Sequence, residues 1–546
     1  MSKTTALRRG AAGLAAVTVA LATLTACTGG GGGNSAAALT IATNTSTYPK
    51  NFNFLAPTNS GNTPGIDLVY EPLVTASPSD GWTTAPWLAD AWEWNPEGTQ
   101  LTFTLHPGVT WSDGTAFTSA DVKATLDLLI EYPAVSKAAI GDIKSVDAPD
   151  DLTVNIHYDV ASFGTLSAFR NVLILPKSVW EGKDPTTFVP TEPMGTGPFT
   201  LKRFAPQQVT YTMRDDYWNG KSKGVEDVVY RALPSADTVL QELLTGKVDY
   251  AVSTLVGNPA ETFVAKDPKV NHYWLPAPGA GQAMVMNNAI APTDDVHIRQ
   301  ALNAAIDRSA LIKLDPATSG SASNITGVNE PVYADWVAPE FKGVTADIDV
   351  DKAKSELDAS GYTVKDGVLT KGGKEYPLEI LTAPGTNVGD GIAQSIKDVL
   401  GIDVTVTQLE GAGDKVAAGE YTLAASMPDT PGLGSPPNIA WNVGAPAPVG
   451  EVASNNWARF DSAEARDLAA QLIAESDVEK QKQLVFQLER IIVAQRPTAP
   501  LTPYAWTLAY TERNWTGWPD EKNPEMIPEA GRSDLIKTIL ALTPAS

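Results

Sequence analysis

One cysteine, Cys27, stands in a chain of 546 residues, so no internal disulfide can form and a cysteine-built metal cluster has no ligands. Histidine is nearly as scarce. His106, His157, His272 and His297 are the full set, and no two share the spacing of a local metal pair or an H-E-x-x-H helix. Each reads as a surface or packing residue. Positive charge is short too: 40 Lys and Arg face 63 Asp and Glu, a formal charge of -23. Residues 1–26 hold Lys3, Arg8 and Arg9 and no acid, so the remainder carries -26. Such a body repels phosphate, which argues against nucleic acid as a partner. No P-loop, G-x-G-x-x-G turn or G-x-S-x-G elbow occurs. Gly279-Ala280-Gly281 and Gly411-Ala412-Gly413 lack the third glycine, and read as loops. A dispersed pair of carboxylates remains open to the sequence, but no residue nominates itself. No enzyme activity, metal or cofactor is expected.

What is present begins at the N-terminus. Lys3, Arg8 and Arg9 precede an apolar, small-residue run from Gly10 to about Thr25, too short to span a membrane and shaped like a signal peptide. It ends Leu24-Thr25-Ala26-Cys27, which resembles the lipobox of bacterial lipoproteins. That likeness implies cleavage before Cys27, acylation of its sulfur and attachment to the cell membrane by lipid alone. The alternative is an uncleaved helix with a buried Cys27. Gly29 to Gly33 follow, a run that cannot build a core and suits a tether. Behind it lies an ordinary globular mix, 43% hydrophobic and 19% charged, long enough for two or three packed units.

Periodicity gives a mixed α and β order. Leu39 to Thr43 reads as a strand. Trp92 to Trp94 and Leu101 to Leu105 flank a Pro/Gly turn, a hairpin; Ile143 to Tyr158 reads as a second, turning at Pro149-Asp150-Asp151. Thr118 and Asp121 have capping-box spacing and open a helix through about Ile130. Thr238 to Leu244 reads as a helix leading into a strand at Val248 to Val252, and Val296 to Ile312 as one continuous helix. Leu378 to Thr382, Val388 to Leu400 and Ile402 to Leu409 form a strand–helix–strand unit, which implies parallel sheet. One or two helices cover Leu468 to Ile492. The stretch from Ser426 to Asn456 is rich in Pro, Gly and Asn and too long for a plain connector, a common mark of a working loop.

Several of these segments resemble the bacterial extracytoplasmic solute-binding proteins of family 5, the peptide, dipeptide and nickel-binding group of ABC transporters. Tyr70-Glu71-Pro72-Leu73-Val74 is similar to the family's "YEPL". Leu101 to Val109, Trp111-Ser112-Asp113-Gly114-Thr115 and Phe117 to Val122 resemble its most diagnostic block. Gly195-Thr196-Gly197-Pro198-Phe199, Asp216-Tyr217-Trp218, Gly246-Lys247-Val248-Asp249, Met286-Asn287-Asn288, Val296 to Leu302 and Ser355 to Tyr362 follow in family order. The resemblance covers essentially the whole mature chain. Most of these blocks read as scaffold: in Trp111-Ser112-Asp113-Gly114, for instance, Ser and Asp bind backbone N–H groups and Gly takes a positive φ.

The likeness implies a mixed α/β, two-lobed periplasmic-binding-protein clamp of the large peptide-binder subclass (type II), with an extra inserted domain. After a signal peptide at 1–26 and a tether at 27–38, one lobe would comprise 39–76, 195–276 and 500–546. The inserted domain would be 77–194 and the second lobe 277–499. A monomer is expected, closing on a small ligand and delivering it to permease subunits. Peptide binders of the family hold the ligand's ammonium with an Asp in a "W-x-x-D-x-x-D-P"-like segment. Here the equivalent, Tyr421 to Pro431, keeps only Asp429. Either Asp429 faces the cleft and pairs with a cation, or it caps a turn beside Pro428. Relatives that bind β-linked oligosaccharides line their clefts with Trp and amides. Asn51, Asn53, Asn438, Asn442, Asn455 and Asn456 with Trp441 and Trp457 would suit sugar hydroxyls. Tyr504 and Trp506 complete the candidates, and peptide is the preferred ligand class.

Overall fold

The computed structural model describes residues 38–55, 63–76, 83–135, 140–251, 258–274, 280–314, 321–384, 386–427, 439–453, 455–504, 508–520, 522 and 533–546. Cys27, Asp429, Asn438 and Trp506 lie outside them. Among the described residues no helix is long and apolar enough to cross a membrane.

The architecture is two-lobed and mixed α/β. Lobe I is built on a seven-stranded sheet ordered Asn271–Trp274, Leu508–Thr511, Tyr250–Ala251, Leu39–Asn44, Asp227–Leu233, Gln208–Met213, Phe199–Ala205. Its central strand, Leu39–Asn44, runs parallel to both neighbours. The helix Ala236–Leu244 joins those neighbours by passing over the central strand. Ser235 caps it by accepting the Thr238 N–H at 3.2 Å, and Val239, Leu240 and Leu243 are buried. Helix cover lets Ile41 and Ala42, which point to opposite faces, both be fully buried.

Between Thr75 and Gly195 the chain makes a four-stranded antiparallel sheet ordered Ala89–Trp94, Gln100–Leu105, Thr153–Tyr158, Ile143–Asp150. Its alternation is the period of two that a half-covered sheet requires. Leu101, Phe103, Leu105, Val154 and Ile156 are buried beside Val122, Leu126 and Leu129 of the helix Ser119–Glu131. The other face is polar, and Thr102 Oγ1 donates to Asn155 Oδ1 at 2.9 Å. The expected capping pair is present, with the Asp121 carboxylate accepting the Thr118 N–H at 3.0 Å. One continuous apolar cluster runs from Leu39, Ile41 and Tyr230 to Phe103 and Leu126, so lobe I and the inserted domain share a core.

The family-like motifs meet where these two join. Glu71 is wholly buried, and its carboxylate accepts from Tyr217 Oη at 2.7 Å, Trp87 Nε1 at 2.9 Å and Trp218 Nε1 at 3.1 Å. Burial pushes this carboxyl's pKa up and those donors oppose the push. Arg214 ties the remaining motifs together, donating to Thr110 O, Trp111 O, Gly195 O and Gly197 O and pairing with Asp216 at 3.1 Å. Asp113 accepts the Thr115 N–H at 2.9 Å and Gly114 has φ 85°, as the turn reading requires.

Lobe II holds a five-stranded sheet ordered Val404–Gln408, Leu378–Thr382, Leu423–Met427, Ala280–Met286, Thr498–Tyr504, with an apolar core of its own. The first three strands are parallel and the last two antiparallel to their neighbours. Because Thr498–Tyr504 pairs along Ala280–Met286, it belongs to this lobe, and the expected division at 499/500 moves to after Tyr504. Two further expectations need correcting. The helix foreseen from Val296 to Ile312 stops at Ala305 and restarts at Arg308, because Asp307 accepts the Ala310 N–H at 3.1 Å and so caps a second helix. The second hairpin turns at Asp151-Leu152, sharing only Asp151 with the expected Pro149-Asp150-Asp151 turn.

Arg299 and Gln300 close the C-terminal end of the helix Val478–Gln495 by donating to Gln495 O, Val493 O and Ala494 O, where positive charge also suits the helix dipole. On that helix Glu489 is buried, with Ala338 N–H 2.7 Å from its carboxylate. Burial raises its pKa to about 7, against an ordinary value near 4.3. The folded state therefore binds this proton more tightly than the unfolded one. The associated stability is complete below the ordinary value and is lost as pH rises through about 7. Glu489→Gln is expected to gain on the parent between pH 5 and 8, by at most about 3 kcal/mol. Urea midpoints of both proteins at the two pH values measure it, and parallel pH profiles would rule it out.

Candidate functional site

Register brings the ends of particular strands of both lobes to the chain crossings. In lobe I the parallel strands end at Asn44, Leu233 and Ala251, and on that same edge Trp274 lies opposite Leu508. In lobe II the parallel strands end at Thr382, Gln408 and Met427, and on that edge Ala280 lies opposite Tyr504. The chain passes between the sheets through 275–279 and 505–507, so both sheets turn the carboxyl ends of their parallel strands toward the crossings. In each lobe one strand (Leu39–Asn44 or Leu378–Thr382) has the following parallel strand on one side and the next on the other. Open α/β sheets bind ligands outside the carboxyl ends of such strands, where the order reverses.

The groups on this edge are mostly neutral hydrogen-bonding ones. Thr43 Oγ1 and Tyr48 Oη are 2.6 Å apart, and burial raises the Tyr48 phenol to about 12, so it stays protonated. In lobe II Thr502 Oγ1 donates to Gln282 Oε1 at 3.2 Å, and Gln408 Nε2 reaches Thr386 O at 3.2 Å. Thr43, Tyr48, Gln282 and Gln408 were not among the residues proposed from sequence; only the register brings them to one edge.

The proposed residues scatter. Tyr504 ends its strand on the cleft edge, while Trp441 and Asn442 lie in the short helix Ile439–Asn442 that follows 428–438. Asn51 and Asn53 follow the central strand of lobe I. The Asn53 amide donates to Pro185 O at 2.7 Å and Phe188 O at 2.9 Å, which commits both its N–H groups to the inserted domain. Trp457 falls at the opposite edge of lobe II. Tyr421 Oη donates to its carbonyl at 2.6 Å, its own Nε1 donates to Ala453 O at 3.0 Å, and Asn288 N–H holds the next carbonyl, that of Ala458, at 2.8 Å. Asn456 likewise spends its Nδ2 on Gly444 O and Phe460 O, and adopts φ 50°. These two pin a loop and do not face the crossings. Asn455 precedes them in the same loop. Trp515 and Trp518 are buried, Trp518 stacking on Tyr510 at 4.9 Å between centroids.

The histidines are dispersed. His106 packs on Trp218, His157 meets Asp147, His272 meets Glu512 and His297 meets Glu356. Among the described residues no group of three or more His, Cys, Asp or Glu is placed to hold a metal ion.

Comparison with known proteins agrees with this architecture. The nickel-binding periplasmic protein of Escherichia coli (strain K12) is 27% identical over 351 residues, 62% of this chain and 64% of that protein. Over the match the chain thus spans just under two thirds of that relative's length. The periplasmic oligopeptide-binding protein of an oligopeptide ABC transporter from Thermotoga maritima superposes with a TM-score of 0.81 at 23% identity, covering 94% of this chain and all of the other. The same Thermotoga protein bound to mannohexaose gives 0.80 at 22% identity over 93% and 99% of the two chains. A family model for the middle region of the bacterial extracellular solute-binding proteins, family 5, matches residues 83–451. Since that match covers well over half of its residues, the chain belongs to the bacterial extracellular solute-binding proteins, family 5.

Proposed function

We propose that this protein captures short peptides outside the cytoplasmic membrane, shuts its lobes on them and delivers them to the permease of an ABC importer. The observation that carries the reading is the shared edge: two lobes, each offering the carboxyl ends of its parallel strands, joined by two crossings on one side. Closing such a cleft expels water, so a ligand group left without a partner costs about 1–3 kcal/mol, and this makes shutting selective. Thr43, Tyr48 and Gln282 would meet amide groups from both sides. By the family resemblance Asp429 would take the ammonium, and Asn438, Trp441, Asn442, Tyr504 and Trp506 stay candidates for the remaining contacts. ATP hydrolysis belongs to the transporter.

Peptide is preferred because the Thermotoga neighbour is named as an oligopeptide-binding protein, while its mannohexaose complex favours an oligosaccharide as the second reading. A thermal-shift screen separates them, using pooled tri- and tetrapeptides in parallel with mannohexaose. A ligand at a hundredfold its Kd stabilises by about 2.7 kcal/mol, enough to read as a raised midpoint. We expect a saturable rise with peptides that Asp429→Ala abolishes. A rise with mannohexaose alone would move the protein to sugar import, and no rise with either would defeat both readings.

Anchoring is proposed through acylated Cys27, two or more acyl chains being needed to hold firmly. Cys27→Ala is expected to shift the protein from the membrane fraction to the medium or soluble fraction; unchanged fractionation and lipid content would defeat the anchor.

A further inference from the structure

The lobes also touch at places the chain does not cross. In the inserted domain the 3-10 helix Phe163–Asn171 lies against the helix Ala463–Ala474 of lobe II. A Cβ on Gly164 would stand 3.2 Å from Ile473 Cα and 3.4 Å from Ile473 O, closer than such contacts normally run. The backbones of two bodies therefore meet at a residue with no side chain. Both sides are firmly backed. Phe163 packs on Trp94 at 5.3 Å, Phe169 on Phe103 at 5.3 Å, and Thr165 Oγ1 donates to Ser162 O at 2.8 Å. Across the contact, helix Ala463–Ala474 shares an apolar cluster with Ile439, Ala440 and Val443. These residues directly follow the 428–438 stretch that carries Asp429. A second touching point sits nearby, where Ala76 joins Val328, Tyr333 and Val337 of lobe II.

We propose that Gly164 and Ile473 form a latch, a backbone-to-backbone contact that holds the inserted domain against lobe II and sets how much of the protein is shut. The proposal rests on the clamp reading above. Such a contact is not covalent and must part when the cleft opens. Any side chain at 164 wedges it and favours the open form, and ligand affinity then falls by the fraction of shut protein lost, without a change at the ligand's own contacts.

The test uses the full-length chain carrying Cys27→Ser, which leaves no other cysteine. Gly164→Ala, the smallest wedge, should weaken binding of the tri- and tetrapeptide pool less than Gly164→Leu does; equal binding by both variants and the parent would overturn the latch. In the same background, spin labels at Val160→Cys and Val478→Cys, exposed positions on the inserted domain and lobe II, report the distance between the two bodies. Gly164→Leu should add a longer-distance population and weaken binding of the tri- and tetrapeptide pool by about tenfold or more. An unchanged distance distribution would likewise overturn the latch. If Gly164→Leu lengthens the distance but neither peptides nor mannohexaose shift the parent's distribution, the latch stands and the ligand-clamp reading falls instead.

Discussion

Glu71→Ala is expected to be among the most destabilising single substitutions in this protein, at about 4 kcal/mol. The carboxylate takes hydrogen bonds from Trp87, Tyr217 and Trp218 and has no solvent exposure. Removing it strands the buried donors of Trp87 and Tyr217, each costing about 1–3 kcal/mol, and the half-buried one of Trp218, while relieving the cost of burying the acid. The donors come from different parts of the chain, with Trp87 in the inserted domain and Tyr217 and Trp218 in lobe I, so the loss falls on the joint between them. Glu71→Gln discriminates further, since an amide presents N–H where the site already supplies N–H and O–H. It should recover less than half of the loss. Denaturant midpoints decide the matter, and a Gln variant as stable as the parent would mean that Glu71 is held protonated.

The second large effect is expected at Gly195. A Cβ there would stand against the Val69 carbonyl, 2.5 Å from its carbon and 2.7 Å from Val69 Cγ1. Gly195 O accepts Ser112 N–H at 2.9 Å and a 3.2 Å bond from Arg214, so neither strand of the joint can shift freely. Gly195→Ala should cost about 4 kcal/mol or more, or prevent folded protein from accumulating. Gly413→Ala is the matched comparison. Gly413 lies in the helix Ala412–Ala418 with nothing within 4 Å of its would-be Cβ. There the same added methyl should stabilise by up to about 1 kcal/mol. Equal effects at the two positions would show that local backbone entropy, and not the close approach, governs Gly195.

These two residues show what a single sequence can reveal. Tyr70-Glu71-Pro72 and Gly195-Thr196-Gly197 stand out as family-like words, yet nothing in their spacing says that they meet or that Arg214 binds them. Elements set by local rules were legible: the capped helix at Ser119, the Asn95 turn and the strand–helix–strand unit at Leu378–Gln408. The break at Ile306 was hidden, because Ile306 and Leu311 continue the apolar stripe and only the Asp307 cap interrupts it. Trp457 and Asn456 misled for the same kind of reason. Their chemistry suits a ligand, but their bonds to Ala453, Phe460 and the more distant Gly444 are set by a lobe whose register was unknown. Gln282 had no local signal at all. It is the pairing of Ala280–Met286 with Thr498–Tyr504 that brings it toward the cleft edge.

The two crossings have a mechanical consequence. Their flanking strands are paired on both sides, Trp274 with Leu508 and Ala280 with Tyr504, so the tethers are fastened side by side. In the clamp proposed above, strands fastened in this way would leave the halves one easy rotation. Under the proposed clamp, capture would be a search along a single coordinate, with little orientational freedom left to lose when the jaws meet. More of the ligand's contact energy is left to distinguish one cargo from another.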